Sequence, residues 1–151
     1  MDYCERHTSL GMIRGISLGN ADFYRGVPFA KAERFEMPEL IEYWEEPLDA
    51  TLPEYNCPQY GTYLDESAKP QPFFYNEFRR GNTFRYAESP LTMNIIAPKY
   101  TDNCPVIVYI HGGGFETGTV GELPYGSSTI YADQGIILVS LCHRLNVFSL
   151  Y

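Results

Sequence analysis

The fold class is decided by one stretch of the chain, Val106-Ile107-Val108-Tyr109-Ile110-His111-Gly112-Gly113-Gly114-Phe115. Its first half is apolar and largely β-branched, which predicts a buried strand. Three glycines follow where this strand would end. Because glycine has no Cβ, the chain can turn sharply there and bring its N–H groups close to a ligand atom. The stretch therefore predicts a core strand that leads directly into a functional loop.

The neighbouring segments predict how that strand is paired. Leu91–Ala97 is typical of a strand, and the short polar link that follows indicates that it runs antiparallel to the strand of residues 105–110. Ser127–Gln134 predicts a short helix that ends at Gly135, before the apolar strand Ile136–Leu141. Two apolar strands joined by a helical crossover indicate a parallel pair buried on both faces, so the predicted fold class is α/β.

The first half of the chain is less regular. Gly11–Ile16 and Ala21–Ala30 predict short strands joined by a turn at Ser17–Asn20. Prolines punctuate residues 31–90, which predicts mostly loop with single helical turns, one of them at Glu39–Trp44.

Composition and charge exclude several functions. The 151 residues are 44% hydrophobic and 20% charged, as in a globular chain, and no linker divides them, so residues 1–151 are expected to belong to one domain. The net charge of -8 makes nucleic acid and anionic membranes poor partners. Residues 1–7 are polar and lack the apolar core of a signal peptide, and no segment is apolar enough to span a bilayer. We expect a cytoplasmic protein that binds neither nucleic acid nor membrane.

The cysteines and histidines predict no metal site, and no cofactor is predicted. A chain of this length can form its core without disulfides, so we expect reduced thiols. Both residue types are widely spread, and there is no Cys-x-x-Cys pair; the positions are Cys4, Cys57, Cys104, Cys142, His7, His111 and His143.

The glycine run has a specific chemical use. Backbone donors aimed at a developing negative oxygen stabilise the tetrahedral intermediate of acyl transfer, by roughly 2.7–4 kcal/mol for one donor. The run lacks Gly-x-Gly-x-x-Gly spacing, and no Gly-Lys-Ser/Thr follows it, so nucleotide binding is poorly supported. The alternative interpretation is a turn that serves the structure alone.

The glycine run, together with Gly118, resembles the oxyanion-hole loop of the carboxylesterase/cholinesterase (type B carboxylesterase) family of α/β-hydrolases. Other motifs are similar to that family's in the same order: Tyr24–Ala30, Arg34-Phe35, Asp49–Thr51, Asn56–Gln59, Glu88–Ile95, Ile137–Leu141 and Arg144–Phe148. The resemblance implies the N-terminal, incomplete part of an α/β-hydrolase fold. Such a part has a small antiparallel N-terminal sheet and the first strands of the central mixed sheet.

The resemblance also implies site residues. The N–H groups of Gly113 and Gly114 would be two of the three donors of an oxyanion hole. Gly112 and Phe115 would line the substrate pocket, and His111 would be structural.

Two further features outside the glycine run are candidates for a structural or functional role. The resemblance implies that Arg34 pairs with Glu88 and braces the early segment against the sheet; the alternative is two separately solvated charges. The aromatic loop Phe73–Phe78 is a second candidate pocket wall, with ordinary packing as the alternative.

The chain departs from the family pattern at its cysteines. The family's usual partner for Cys57 is replaced by Pro90, so that disulfide cannot form. Cys142 and His143 stand where an Asn-Tyr pair is common, and we therefore interpret His143 as a packing residue and not as a catalytic base. The family's nucleophile, acid and histidine follow a segment like Arg144–Tyr151, so these residues are expected to cover a quarter to a third of a family domain.

One literal match to a catalytic motif is rejected. Gly15-Ile16-Ser17-Leu18-Gly19 fits the Gly-x-Ser-x-Gly elbow, but an elbow needs a buried strand before the serine and a helix directly after it. A second strand is predicted after Ser17. We therefore predict that Ser17 is a turn residue.

Two functions remain open. The first is part of a serine-type carboxylic-ester hydrolase that acts on a small-molecule ester and is inactive without its nucleophile, acid and histidine. The second is a non-catalytic relative or fragment that only binds a partner. In either case the family's sheet order would leave the strand Val106–Ile110 at an open apolar edge, so self-association is expected.

Overall fold

The computed structural model describes residues 2–59, 73, 76, 85–121 and 128–149. The strands in these ranges are β1 Tyr3–Thr8, β2 Gly11–Leu18, β3 Ala21–Pro28, β4 Ala30–Lys31, β5 Glu39–Leu40, β6 Leu48–Asp49, β7 Tyr55–Asn56, β8 Arg85–Tyr86, β9 Thr92–Pro98, β10 Val106–Ile110 and β11 Ile137–Leu141. Short 3₁₀ helices span Ala132–Gln134 and Asn146–Ser149. None of the helices in the described ranges is long and apolar enough to cross a bilayer.

One mixed sheet organises the fold. Its strand order is β1-β2-β3-β9-β11-β10, with β6 added in parallel beside β2. Each neighbouring pair from β1 to β11 is antiparallel. Only at the far edge do β11 and β10 run parallel. The antiparallel N-terminal strands and the first strands of the mixed sheet are thus both present, joined through the β3–β9 pairing.

The predicted early hairpin is confirmed. β2 and β3 pair with Ile16 opposite Phe23, and the turn between them uses Gly19 at a φ of +56°. Gly15 leaves room for an aromatic ring, because a Cβ there would lie 2.6 Å from Cδ1 of Tyr24. The glycines of this hairpin therefore serve the turn and the packing.

The core lies on both faces of the sheet. Phe23 belongs to one buried cluster, with Ile96 and Leu138, whereas Tyr24 belongs to another, with Val27. Successive residues of a strand point to opposite faces, so the two clusters are separated by the sheet itself.

The strands predicted at residues 91–97 and 105–110 are antiparallel as predicted, but they are not neighbours in the sheet, as a hairpin-like link would make them. β9 and β10 do run in opposite directions, but β11 lies between them and pairs with both. The parallel arrangement of β10 and β11 is confirmed. The predicted burial of both strands is not confirmed, because β10 is the edge strand and its residues Val106, Val108 and Ile110 are exposed.

Three local predictions also need correction. The sequence does not predict β1, because this strand is polar and mostly exposed and shows no apolar alternation. Glu39–Trp44 is not a helical turn: β5 pairs with β4, and the N–H of Trp44 donates to the carbonyl of Leu10 at 2.8 Å. The helix expected to end before Gly135 is reduced to the 3₁₀ turn Ala132–Gln134, although Gly135 closes it at a φ of +75° as expected.

Candidate functional site

The candidate site is the loop of residues 111–118 at the end of β10, called the glycine loop below. Its backbone has positive φ at Gly113 (119°), Gly114 (63°), Phe115 (62°) and Gly118 (128°). L-residues with side chains rarely adopt such angles, and a Cβ on Gly113 would also overlap the carbonyl oxygen of Thr117. The loop conformation therefore requires the glycines that the sequence supplies.

The glycine loop leaves two backbone donors without an acceptor among the described residues. The carbonyl of Gly113 accepts the N–H groups of Glu116 (3.1 Å) and Thr117 (3.2 Å), so it faces the inside of the loop. Within the described part of the chain, the N–H groups of Gly113 and Gly114 donate no hydrogen bond, and both residues are exposed. Two adjacent donors are thus available to an acceptor atom from outside.

The side chain of Gln59 holds the end of the glycine loop. Its Oε1 accepts the N–H of Gly118 at 2.8 Å, and its Nε2 donates to the carbonyl of Gly118 at 2.8 Å. The same Nε2 donates to the carbonyl of Cys57 at 3.2 Å. The sequence marks Gln59 only as part of a family motif, and nothing around it signals a contact with a residue 59 positions away.

The turn after β11 holds the middle of the glycine loop. The N–H of Asn146 donates to the carbonyl of Phe115 at 2.7 Å, and its Nδ2 donates to the carbonyl of Pro58 at 2.7 Å. The N–H of Leu145 donates to Sγ of Cys57 at 3.1 Å. The Asn56–Gln59 segment, the turn and the glycine loop therefore form one hydrogen-bonded unit.

His111 is packed closely among its neighbours. It is buried, its Nδ1 lies 2.9 Å from the carbonyl oxygen of Gly112, and its ring stacks on that of His143 with centroids 4.4 Å apart. A Cβ on Gly118 would overlap Nδ1 of His111. The ring of His111 thus fills the space directly beside the loop backbone.

Arg34 and Glu88 form the ion pair that the resemblance implies. Arg34 donates to both carboxylate oxygens, with Nε 2.7 Å from Oε2. This hydrogen bonding lowers the pKa of Glu88 and raises that of Arg34. Both side chains are largely exposed. The Sγ of Cys57 lies 3.7 Å from the carbonyl oxygen of Glu88, so the pair adjoins the Asn56–Gln59 segment.

The buried thiols are unsuited to nucleophilic attack. Burial raises the pKa of Cys57 and raises that of Cys142 to about 12, so both remain protonated near neutral pH. All four cysteines are free thiols. Among the described residues, no group of three or more His, Cys, Asp or Glu side chains is placed to hold a metal ion.

Ser17 is not a turn residue as predicted: it lies within β2, which continues to Leu18. It pairs with Asp22 across the hairpin, and its N–H donates to the carbonyl of Asp2 at 2.9 Å. β3 follows after a two-residue turn, so the helix that a nucleophile elbow requires does not follow Ser17. The other remote candidate, the aromatic loop Phe73–Phe78, lies outside the described residues except for Phe73 and Asn76, and its role stays a prediction.

The sequence of the chain, compared with known families, identifies the class of protein. The chain belongs to the carboxylesterase family, whose sequence model matches residues 3–150. The fold is accordingly the N-terminal, incomplete part of an α/β-hydrolase, since 95% of the chain superimposes on 28% of the solved structure of a "thermophylic PNB esterase" with a TM-score of 0.73 and 33% identity.

Individual relatives show how much of such a protein is present. The chain is 34% identical to the para-nitrobenzyl esterase of Bacillus subtilis (strain 168) over 93% of its own length and 27% of the relative's. It is 33% identical to the acetylcholinesterase of Bungarus fasciatus over 93% of its own length and 24% of the relative's. The chain spans about a quarter of the length of these curated relatives.

Proposed function

We propose that these residues form the N-terminal part of a serine-type carboxylic-ester hydrolase, in which the N–H groups of Gly113 and Gly114 bind the oxyanion. One observation carries the proposal. Two adjacent exposed residues, Gly113 and Gly114, whose N–H groups have no acceptor among the described residues, follow the end of β10 on a loop held by Gln59 and Asn146. Fixed donors of this kind need no reorganisation when charge develops beside them.

The chemistry follows from the position of the donors. When a serine oxygen attacks the ester carbonyl carbon, its proton passes to the catalytic histidine and the carbonyl electron pair moves to oxygen. The new negative charge would lie against the two N–H groups. The carbon–oxygen bond to the alcohol then breaks, and the alcohol leaves with a proton from the catalytic histidine. Water repeats these steps on the acyl-enzyme. The resemblance assigns the serine, acid and histidine to chain that follows the present residues.

The substrate pocket is proposed to begin at Gly112 and Phe115. Phe115 is 74% exposed, and a Cβ placed on Gly112 would meet nothing within 4 Å beyond its chain neighbours. An apolar ring beside open space and two donors suits the acyl or alcohol part of a small ester.

The test compares two lengths of chain. We would extend the coding sequence beyond Tyr151, express the whole open frame and measure hydrolysis of p-nitrophenyl acetate and labelling by a serine-reactive fluorophosphonate. The expected result is turnover and a labelled serine in a Gly-x-Ser-x-Gly motif. The 151-residue chain is the matched control and should not turn over at enzymatic rates, because donors alone supply only part of the catalytic factor. An extended protein that neither hydrolyses the ester nor takes the label would contradict the proposal.

A second candidate is a non-catalytic binding module. The exposed apolar side chains of Val106, Val108 and Ile110 on the edge strand favour it, since such an edge can pair with another chain. A frame that closes directly after Tyr151, together with a stable complex in pull-down of the 151-residue chain from its own source, would support this function over the hydrolase.

A further inference from the structure

The turn after β11 carries a side chain that the proposed chemistry has not used. The imidazole of His143 lies parallel to that of His111, with an interplanar angle of 8° and centroids 4.4 Å apart. It also makes a tilted contact with the ring of Phe115 at 6.1 Å. His143 therefore contacts two residues of the glycine loop, one on each side of the glycine triplet.

The ring of His111 transmits this contact to the loop backbone. Its Nδ1 lies 2.9 Å from the carbonyl oxygen of Gly112, and Gly118 packs so closely against the ring that it has no room for a Cβ. A shift of the ring would therefore displace the peptide groups on both sides of Gly113 and Gly114. Donor placement within about 0.5 Å is what distinguishes a working site from a loose one.

Nδ1 of His143 lies 2.9 Å from the carbonyl oxygen of Arg144, and three further hydrogen bonds that do not involve the ring anchor the same turn. Arg144 donates to the carbonyl of Glu36 at 2.8 Å, Leu145 donates to Sγ of Cys57, and Asn146 donates to the carbonyl of Phe115. Truncating the side chain of His143 would thus remove the stacked ring and leave the main chain of the turn in place.

We infer that His143 is a positioning residue for the oxyanion donors and acts through its flat ring, stacked on His111, and not through proton transfer. This inference rests on the proposed function, since it assigns to His143 the placement of the same two N–H groups. A flat ring of similar size should replace it, whereas a side chain without a ring should not.

The experiment uses the complete protein with two substitutions, His143→Ala and His143→Phe. His143→Ala should lower kcat by about tenfold to hundredfold, as expected for misplaced catalytic groups, and leave KM within about twofold. Affinity for a trifluoromethyl ketone, which forms a tetrahedral adduct, should fall by the same factor as kcat/KM. His143→Phe should restore all three values to within a few-fold of the unsubstituted protein.

Hydrogen exchange gives a second measurement that needs no activity. The N–H groups of Thr117 and Gly118 are hydrogen-bonded and report whether the loop is held. They should exchange faster in His143→Ala and at the original rate in His143→Phe. If the unsubstituted protein hydrolyses no ester but this pattern appears, the proposed function fails and the positioning role stands.

Two results would overturn the inference. One is a His143→Ala variant with unchanged kcat and unchanged exchange at Thr117 and Gly118. The other is a His143→Phe variant that loses kcat as fully as His143→Ala while its thermal unfolding is unchanged, since that would assign the effect to the imidazole nitrogens.

Discussion

Two glycine-containing segments of this chain, residues 15–19 and the glycine loop, differ in both sequence and structure. Gly15-Ile16-Ser17-Leu18-Gly19 matches a catalytic motif letter by letter, yet it forms a strand and a tight hairpin turn. The glycine loop matches no motif that names a reactive side chain, yet it presents two unused donors beside an exposed aromatic ring. The difference shows that the structural surroundings of a glycine decide its role, and that the spacing of residues in a motif does not.

The surroundings explain each case. In the hairpin, Gly15 makes room for the ring of Tyr24, and Gly19 supplies the left-handed turn. In the glycine loop, Gly113 makes room for the backbone of Thr117, and its own N–H donates to no acceptor among the described residues. One set of glycines serves packing and the other serves exposure of donors.

The sharpest way to test this comparison is Gly113→Ala. The new Cβ would overlap the carbonyl of Thr117 at a φ of +119°, so the loop backbone has to move and its donors with it. In the complete protein we expect ester hydrolysis to fall by roughly 10²–10³-fold, the usual effect of losing one oxyanion donor.

Gly19→Ala is the matched control for that change. Gly19 also has a left-handed φ, of +56°, but nothing lies within 4 Å of a Cβ there. It should cost about 1 kcal/mol of stability and leave kcat unchanged. Equal losses of activity in the two variants would mean that the glycine loop has no special role.

Gly15→Ala should destabilise the β2–β3 hairpin. Its Cβ would lie 2.6 Å from Cδ1 of Tyr24 and 2.7 Å from the carbonyl oxygen of Phe23. Moving the backbone of Phe23 to relieve this overlap costs free energy. We expect the free energy of unfolding to fall by about 1–3 kcal/mol, measured by urea denaturation. Hydrolysis per folded molecule should be unchanged; a selective loss of kcat would assign this turn a part in the site.

Alkaline pH should lower the stability of the fold through Cys142, which directly follows β11. The pKa of Cys142 is raised by burial to about 12 from its ordinary value of 9.0, so the folded chain keeps this proton to higher pH than the unfolded chain does. Stability is therefore full below pH 9 and is lost as pH rises towards 12, with a slope of up to about 1.4 kcal/mol per pH unit. Cys142→Ala should flatten that slope in denaturation curves at successive pH values; an unchanged slope would contradict the assignment.

The open edge is expected to cause self-association of the 151-residue chain. Val108 lies at the centre of β10, 56% exposed, and no described strand pairs with the outer side of β10. Val108→Lys should weaken association by about tenfold in size-exclusion chromatography with light scattering, because an edge lysine opposes strand pairing. Val147→Lys, at a position 52% exposed and outside the sheet, is the control and should associate like the unsubstituted chain. A monomer at micromolar concentration before any substitution would refute the expectation.

The smallest expected effect is that of Ser17→Ala. Ser17 lies in β2, opposite Asp22, without the helix that an elbow requires. Ester hydrolysis by the complete protein should stay within about twofold, as for substitutions outside the reacting groups. If the 151-residue chain hydrolysed the ester and Ser17→Ala abolished this activity, Ser17 would be a nucleophile and the hairpin would be the catalytic site.

The strands that local sequence predicted well share a strong local signal. β10 and β11 are unbroken apolar runs, and β2 and β3 flank a turn with Gly19 and Asn20. β1 and β5 carry no such signal, because polar, exposed strands form by pairing with a neighbour that the local sequence does not reveal. The position of β11 between β9 and β10 is not evident from local sequence for a similar reason: a chain that crosses over can insert a later strand between two earlier ones.

The sequence alone determined the mixed α/β character of the chain, its family and the glycine loop as the candidate site, since apolar runs and glycine positions are local properties. Only the tertiary structure decided how that loop is held. Gln59 reaches Gly118, and His143 reaches His111, across long stretches of chain. Hydrogen bonds and ring contacts need atoms within a few ångströms of each other, and only folding brings such distant residues that close.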